Sequence, residues 1–173
     1  SRMGPRHGQT SPDGSGLNAG LPIWRRSGRV VVTAEPHGEG SVAALVTVNY
    51  GSSALLEQNL ASMAKATEVL VVVVDNFSTP AERDAVTALC GREGWKLLAS
   101  DANPGFGAAI NAGVAAAAAA GANRFVIVNP DASLPPDDLR RLIRACDVPG
   151  VLAAPIVLRP DGSIWSAGGD LYL

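Results

Sequence analysis

The chain has 173 residues, of which 47% are hydrophobic, 17% charged and 5% aromatic, and this composition predicts one globular domain with a hydrophobic core. Fourteen Lys and Arg against sixteen Asp and Glu give a net charge of -2, so a strongly basic surface is excluded and nucleic acid is not an expected partner. The longest apolar stretch, 112–122, is shorter than the roughly 20 residues that cross a bilayer, and no signal peptide is visible. We therefore expect no transmembrane segment. The expected location is the cytoplasm or the inner face of the membrane.

The cysteine and histidine content limits the catalytic chemistry. Cys90 and Cys146 are far apart and lack CxxC spacing, which favours two small core residues over a disulfide framework or a zinc site. Both histidines, His7 and His37, fall within the first forty residues. The rest of the chain therefore has no Ser-His-Asp or Cys-His site, and its polar chemistry must come from carboxylates, amides and backbone groups.

Residues 1–40 differ in character from the remainder of the chain. They contain eight glycines and four prolines and show no sustained helical or strand periodicity, which is typical of a flexible lead-in. A short run at 29–34 is the one candidate edge strand there. We expect the folded domain to occupy 41–173.

From residue 41 onward, short β-branched runs alternate with helical segments, a pattern typical of a mostly parallel α/β sheet with helices on both faces. Four consecutive valines at 71–74 predict a central strand that is covered on both sides. A hairpin at 161–167 is expected to lead into a loop that holds Asp170. The predicted strands are 42–48, 69–74, 96–99, 125–128 and 151–158, and the predicted helices are 53–66, 80–92, 106–120 and 136–145.

Polar residues follow the first four predicted strands. In open α/β sheets, ligands bind beyond the carboxyl ends of the strands, so this edge is the expected binding site. Neither a P-loop nor a GxGxxG motif after the first strand is present, which excludes the usual P-loop and dinucleotide-binding folds. The sequence that opens the third helix, Asn103-Pro-Gly-Phe-Gly, can offer backbone N–H groups and a positive dipole end to a diphosphate.

Four sequence runs occur in a characteristic order along this domain. They are VTVNYGSS at 46–53, VVVVDNFST at 71–79, NPGFGAAINAG at 103–113 and VNPDASLPPDDL at 128–139. Over 42–169 the set resembles the nucleotide-binding half of family 2 glycosyltransferases, especially the rhamnosyltransferase-like members. The resemblance implies a GT-A fold, a nucleotide-diphosphate sugar donor, a divalent cation (Mg²⁺ or Mn²⁺) and inversion at the anomeric carbon. It also implies a sugar, polysaccharide or lipid-linked acceptor, as in cell-wall or polysaccharide biosynthesis.

The resemblance assigns roles to individual residues at the strand ends. Asp75 matches the family residue that hydrogen-bonds the base or ribose, and Asp131 matches a cation ligand of the motif usually written DxD. One carboxylate suffices for Mg²⁺ or Mn²⁺ when a diphosphate and water supply the other oxygens. The implied donor-binding set also holds Val48, Asn49 and Tyr50 beside the nucleobase, Asn103, Gly105 and Asn111 beside the diphosphate, and Asn76, Phe106 and Asn129.

The sequence departs from the family pattern in two places. Asn129 replaces the first Asp of DxD, which removes one negative charge from the metal motif, and Gly51 stands where the family often has Asn. In the family, the acceptor site and the catalytic base lie downstream of the position of Leu173. We therefore expect a chain truncated at its C-terminus that does not transfer sugar alone, with its catalytic residue unknown. Asp170, which follows two glycines, is interpreted as a loop-capping acid.

Two alternative functions remain at this point. The first is a nucleotide-sugar binding module without turnover, which the missing base would permit. The second is a sugar-1-phosphate nucleotidyltransferase, although that class usually has a basic glycine-rich loop after the first strand, and 49–53 contains no Lys or Arg.

Overall fold

A computed structural model describes residues 42–147 and 151–168. The chain alternates strands and helices up to residue 145 and then forms a short hairpin. The lead-in at 1–40, with its candidate strand at 29–34, and Asp170 lie outside the described residues. The elements are β1 (Val42–Asn49), α1 (Ser53–Thr67), β2 (Leu70–Asn76), α2 (Pro80–Glu93), β3 (Lys96–Ser100), α3 (Phe106–Ala119), β4 (Ala122–Ile127), α4 (Pro136–Ala145), β5 (Val157–Leu158) and β6 (Ile164–Ser166).

Strands β1 to β4 form a parallel sheet in the order β3-β2-β1-β4. Leu45 pairs with Val71, and Asn49 pairs with Asp75, so β1 and β2 end side by side. In the same way, Asn76 pairs with Ser100 at the end of β3. Because all four strands run in the same direction, their carboxyl ends meet at one edge, and the polar residues that follow them lie close together.

The two central strands are buried on both faces, and alternate residues point to opposite sides. Leu45, Val71 and Val73 pack against α1, α2 and α4, whereas Val46 and Val72 pack against α3. Every residue from Val71 to Val74 is 3% exposed or less. The valine run is therefore the central, doubly covered strand that the sequence predicts.

Helix α3 approaches the sheet closely at Gly113. A Cβ atom placed there would lie 2.5 Å from Val46 Cγ1 and 2.9 Å from Val74 Cγ2. Both valines are in the core, so neither side chain can move aside without disturbing its neighbours. The glycine is what allows this helix to lie flat on the two central strands.

Replacing Gly113 with alanine is expected to lower the free energy of unfolding by about 1–3 kcal/mol, because overpacking outweighs the gain in helix propensity. Urea denaturation measures the change. Gly91→Ala is the matched control, since a Cβ at this position in α2 meets nothing within 4 Å, and it should stabilise the protein by up to about 1 kcal/mol. Equal effects of the two substitutions would show that α3 does not lie this close to the sheet.

The predicted helices and the first four strands agree with the structure, with ends that differ by up to three residues. Gly121, with φ of 94° and its N–H bonded to the Ala118 carbonyl, follows the end of α3, where glycine is the favoured residue. The predicted fifth strand at 151–158 is wrong. Only Val157–Leu158 is a strand, and it pairs with β6 in an antiparallel hairpin apart from the main sheet. Pro155 has no N–H to donate, which is one physical reason why the longer run does not join a ladder.

The hairpin that the sequence predicts around Asp161 is present. Arg159 N–H donates to the Ser163 carbonyl at 2.8 Å, and Gly162 takes a positive φ of 83° at the turn. None of the described helices has the length and hydropathy that a bilayer span requires.

Candidate functional site

A cleft of about 440 Å³ opens at the carboxyl edge of the parallel sheet. Its walls come from the ends of β1 and β2, the start of α1, the turn before α3 and the loop after β4. Both charged and aromatic side chains are exposed there, including Asp131, Tyr50 and Phe106. The cleft is lined by Val48, Tyr50, Ser52, Leu55, Asn76, Asn103, Gly105, Phe106, Asn129, Pro130 and Asp131.

Most of the residues that the sequence places in a binding site line this cleft. Three do not. Asn49 and Asp75 are fully buried beneath the cleft floor, and Asn111 is exposed on α3 but is not among the lining residues. The residues predicted and found in the lining are Val48, Tyr50, Asn76, Asn103, Gly105, Phe106, Asn129 and Asp131.

Asp75 has both carboxylate oxygens engaged inside the protein. Oδ1 accepts a hydrogen bond from Asn49 Nδ2 at 2.8 Å, and Oδ2 accepts one from Arg83 Nε. Arg83 also donates to the Ser100 carbonyl, and its guanidinium lies 5.3 Å from the centre of the Phe77 ring. Because Asp75 is also fully buried, a contact with a nucleoside requires a side chain around it to move, and that contact stays a prediction.

Asparagine side chains also fix the loops around the cleft. Asn49 Oδ1 accepts from the N–H and the hydroxyl of Ser52, which joins the end of β1 to the start of α1. Asn76 Nδ2 donates to Asn103 Oδ1 at 3.1 Å, and the same oxygen accepts from Gly105 N–H at 2.9 Å. The turn before α3 is therefore held to the end of β2. Asn76 is 3% exposed, and its Oδ1 has no hydrogen-bond partner among the described residues.

The N-terminus of α3 differs from those of the other helices. The Glu82 carboxylate accepts from Ser53 N–H at 2.6 Å at the start of α1, Thr79 caps α2, and Asp137 and Asp138 lie in the first turn of α4. By contrast, α3 begins at Gly105 with no side-chain cap and no acidic residue in its first turn. Its first N–H groups have no acceptor within the helix and carry the positive end of the dipole.

Asp131 follows β4 on a loop that three hydrogen bonds position. Val128 N–H donates to the Val46 carbonyl and Ala132 N–H to the Asn129 carbonyl, while Asn59 Nδ2 donates to the Pro130 carbonyl at 2.8 Å. The Asp131 side chain is exposed in the cleft. Within 42–147 and 151–168, no three His, Cys, Asp or Glu side chains come together as a metal site, so any cation here needs oxygens from a ligand.

Cys90 is not a nucleophile in this fold. It is 2% exposed, and burial, together with the charge of Asp75, raises the pKa of its thiol to about 11. The thiol therefore stays protonated near neutral pH, where only the thiolate reacts. This agrees with the structural role that the sequence indicates for Cys90.

A profile comparison identifies the domain. Residues 44–167 match the "Glycosyl transferase family 2" profile. The chain belongs to glycosyltransferase family 2. No match was found among curated proteins. The parallel sheet with helices on both faces is the Rossmann-like arrangement of the GT-A fold, as the resemblance implies.

Solved structures of glycosyltransferases are similar to this family 2 domain. A mannosyltransferase from Pyrobaculum calidifontis, solved with GDP-Man and Mn²⁺, is 25% identical with a TM-score of 0.56, over 69% of this chain and 36% of the other. TarS residues 1–349 from S. aureus are 23% identical with a TM-score of 0.45, over 58% of this chain and 30% of the other. This chain therefore spans about a third of the length of these structures.

Some contributors to the family 2 cleft were missed by sequence reasoning. Leu55, in the first turn of α1, is 39% exposed and lines the cleft. Ser52 stands at the N-cap position of α1, but its hydroxyl donates to Asn49 Oδ1 and makes no cap bond. Arg83 and Asn59 gave no local signal, because their partners lie elsewhere in the chain.

Proposed function

We propose that this chain forms the donor-binding part of an inverting glycosyltransferase, which transfers a sugar from a nucleoside diphosphate to an acceptor hydroxyl with the help of a divalent cation. The observation that carries the proposal is the juxtaposition in one cleft of an uncapped helix N-terminus at Gly105 and an exposed carboxylate at Asp131. A diphosphate is anionic, so it can bind at the helix N-terminus and share a cation with the Asp131 carboxylate. Residues 41–173 are the proposed donor-binding portion, and residues 1–40 are the proposed lead-in.

The turn before α3 is suited to the diphosphate. Gly105 has a φ of 92°, a backbone conformation that glycine adopts without strain. It presents the free N–H groups of the first turn of α3, where an anion gains both hydrogen bonds and the helix dipole. Asn103 Oδ1 is occupied by Asn76 and Gly105, so any contact of Asn103 with the ligand would come from its amide nitrogen.

The residues around Asp131 fit a cation that arrives with the donor. One carboxylate and the neighbouring Asn129 supply too few oxygens for a permanent protein site, and Mg²⁺ or Mn²⁺ completes its shell with phosphate oxygens and water. When bound, such a cation stabilises negative charge on the departing diphosphate. The mannosyltransferase structure with GDP-Man and Mn²⁺ supports this interpretation.

The proposed nucleoside site lies at the ends of β1 and β2. Tyr50, which is 59% exposed, offers a ring face beside Val48, and aromatic faces stack on bases of any identity. Asn76 has a buried oxygen without a partner among the described residues, and an N–H or hydroxyl of the nucleoside would satisfy it. Asp75 and Asn49, which are buried below the cleft, complete the proposed nucleoside site.

The reaction is a single displacement. The acceptor oxygen bonds to the anomeric carbon while the bond from that carbon to the diphosphate oxygen breaks, and the nucleoside diphosphate leaves with the electron pair. The acceptor proton passes to a base, which we do not assign. The Asn129-Pro130-Asp131 sequence resembles the form of the metal motif in rhamnosyltransferase-like members and supports an enzyme of that subtype. We further propose that it acts in the cytoplasm or at the inner membrane face, on a polysaccharide or lipid-linked acceptor of cell-wall or polysaccharide biosynthesis.

Thermal denaturation with a panel of nucleotides tests the proposal. UDP, GDP, dTDP, CDP and ADP are each compared with the matching monophosphate, in Mn²⁺ and in EDTA. At least one diphosphate should raise the melting temperature more in Mn²⁺ than in EDTA, because a ligand at about 100 times its Kd adds about 2.7 kcal/mol of stability. If no diphosphate shifts the transition, the proposed donor binding is wrong.

A further inference from the structure

Asn59 connects helix α1 to the loop that holds the proposed cation ligand. It is half-buried in the middle of α1, and its Nδ2 donates to the Pro130 carbonyl at 2.8 Å across a separation of 71 residues. Leu55, one helical turn earlier, lines the cleft. One face of α1 therefore makes two contributions: Leu55 forms part of the cleft wall, and Asn59 contacts the loop that carries Asp131.

The bonded carbonyl belongs to the peptide unit that leads directly into Asp131. The Pro130 carbonyl and the Asp131 N–H lie in one plane with the Cα atoms of both residues. Fixing this oxygen therefore fixes the direction in which the chain enters Asp131. The proline ring restricts the preceding torsion as well, because its φ is held near -65°.

The other hydrogen bonds of this loop do not fix that plane. Val128 N–H holds the start of the loop to β1, and the Ala132 N–H to Asn129 carbonyl bond closes a turn within the loop itself. Among the described residues, only the Asn59 amide ties the Pro130–Asp131 peptide to another element by a hydrogen bond. Without it, the turn keeps its internal bond but loses its connection to α1.

We infer that Asn59 is a positioning residue, which holds the Asp131 carboxylate at the place where it shares a cation with the donor diphosphate. The inference rests on the proposed function. Asn59 does not line the cleft, so it acts through the Pro130–Asp131 peptide and touches neither the cation nor the diphosphate. Its loss should weaken manganese-assisted binding and leave the metal-independent contacts at α3 and β1 unchanged.

Calorimetry on the full chain separates these two components. UDP, GDP, dTDP, CDP and ADP are titrated in EDTA and in Mn²⁺, and the diphosphate that binds most tightly in Mn²⁺ is used for all variants. Asn59→Ala should weaken binding in Mn²⁺ by about 2- to 10-fold, the factor that the net free energy of one hydrogen bond corresponds to. Affinity in EDTA should not change. Asn59→Asp keeps the size but cannot donate, so it should lose at least as much.

Two further variants distinguish positioning from general stability. Gln58→Ala removes an exposed amide from the same helix and should match the wild type in both conditions. Asn59→Gln retains the donor on a longer side chain and should recover part of the Mn²⁺ effect. Hydrogen exchange without ligand should rise in the peptide 129–134 for Asn59→Ala and not for Gln58→Ala.

The outcomes separate the inference from the proposed function. If the wild type binds none of the five diphosphates more tightly in Mn²⁺ than in EDTA, the proposed function and the inference both fail. If the wild type shows the Mn²⁺ effect and Asn59→Ala retains it, Asn59 does not position Asp131. An equal loss in EDTA and in Mn²⁺ would also overturn the inference, since it would show a change in the whole cleft.

Discussion

Arg83→Met is expected to lower the free energy of unfolding by about 3–5 kcal/mol, the usual cost of removing one partner from a buried ion pair. Asp75 is fully buried, so its carboxylate loses its counter-charge and gains no water in exchange. Methionine keeps most of the volume, which limits the contribution of a cavity. Urea denaturation at neutral pH measures the loss.

Asp75→Asn should be less costly, because the Arg83 side chain is 21% exposed and can turn towards water. The double variant Asp75→Asn/Arg83→Met removes both charges, and its loss should be smaller than the sum of the single losses. Arg141→Met, on α4, is the control. The bridge from Arg141 to Asp138 is exposed at both ends, so the change should stay within about 1 kcal/mol.

Nucleotide binding by Asp75→Asn at a temperature where it is folded tests the role that the family resemblance implies. If Asp75 is chiefly structural, affinity for the diphosphate stays near that of the wild type while stability falls. Normal stability with a large loss of affinity would show that Arg83 gives way to a nucleoside and that the ion pair seen here is a resting arrangement. Either result shows whether the Asp75 carboxylate stabilises the fold or binds the nucleoside.

The sequence predicts the sheet well because its signals are local. The run 71–74 strongly favours a strand buried on both faces, because four consecutive β-branched residues fit a strand better than a helix. The error at 151–158 has a non-local origin. A strand needs a neighbour to pair with, and apolar β-branched residues indicate only that the chain favours an extended conformation.

The position of the site was predictable, but its internal bonding was not. Parallel strands bring their carboxyl ends to one edge whatever the side chains are, and so Tyr50, Asn103 and Asp131 meet in one cleft. Whether an acid faces the cleft or a partner beneath it depends on contacts from distant parts of the chain. For Asp75 the partner is Arg83, one helical turn into α2. The sequence around Asp75 gives no indication of this contact.

Asp131→Ala is expected to abolish the tightening of diphosphate binding by Mn²⁺ and to leave folding unaffected, because the side chain is exposed and the loop keeps its backbone hydrogen bonds. Substitutions of residues that only support metal ligands cost about 10–100-fold in metal affinity, so loss of the proposed ligand itself should cost at least as much. Calorimetry with the chosen diphosphate in Mn²⁺ and in EDTA measures both components.

Asp137→Ala, an exposed acid on α4 outside the cleft lining, is the control and should retain the Mn²⁺ effect. Retention of that effect by Asp131→Ala as well would mean that other groups hold the cation, and the assignment of Asp131 would be wrong.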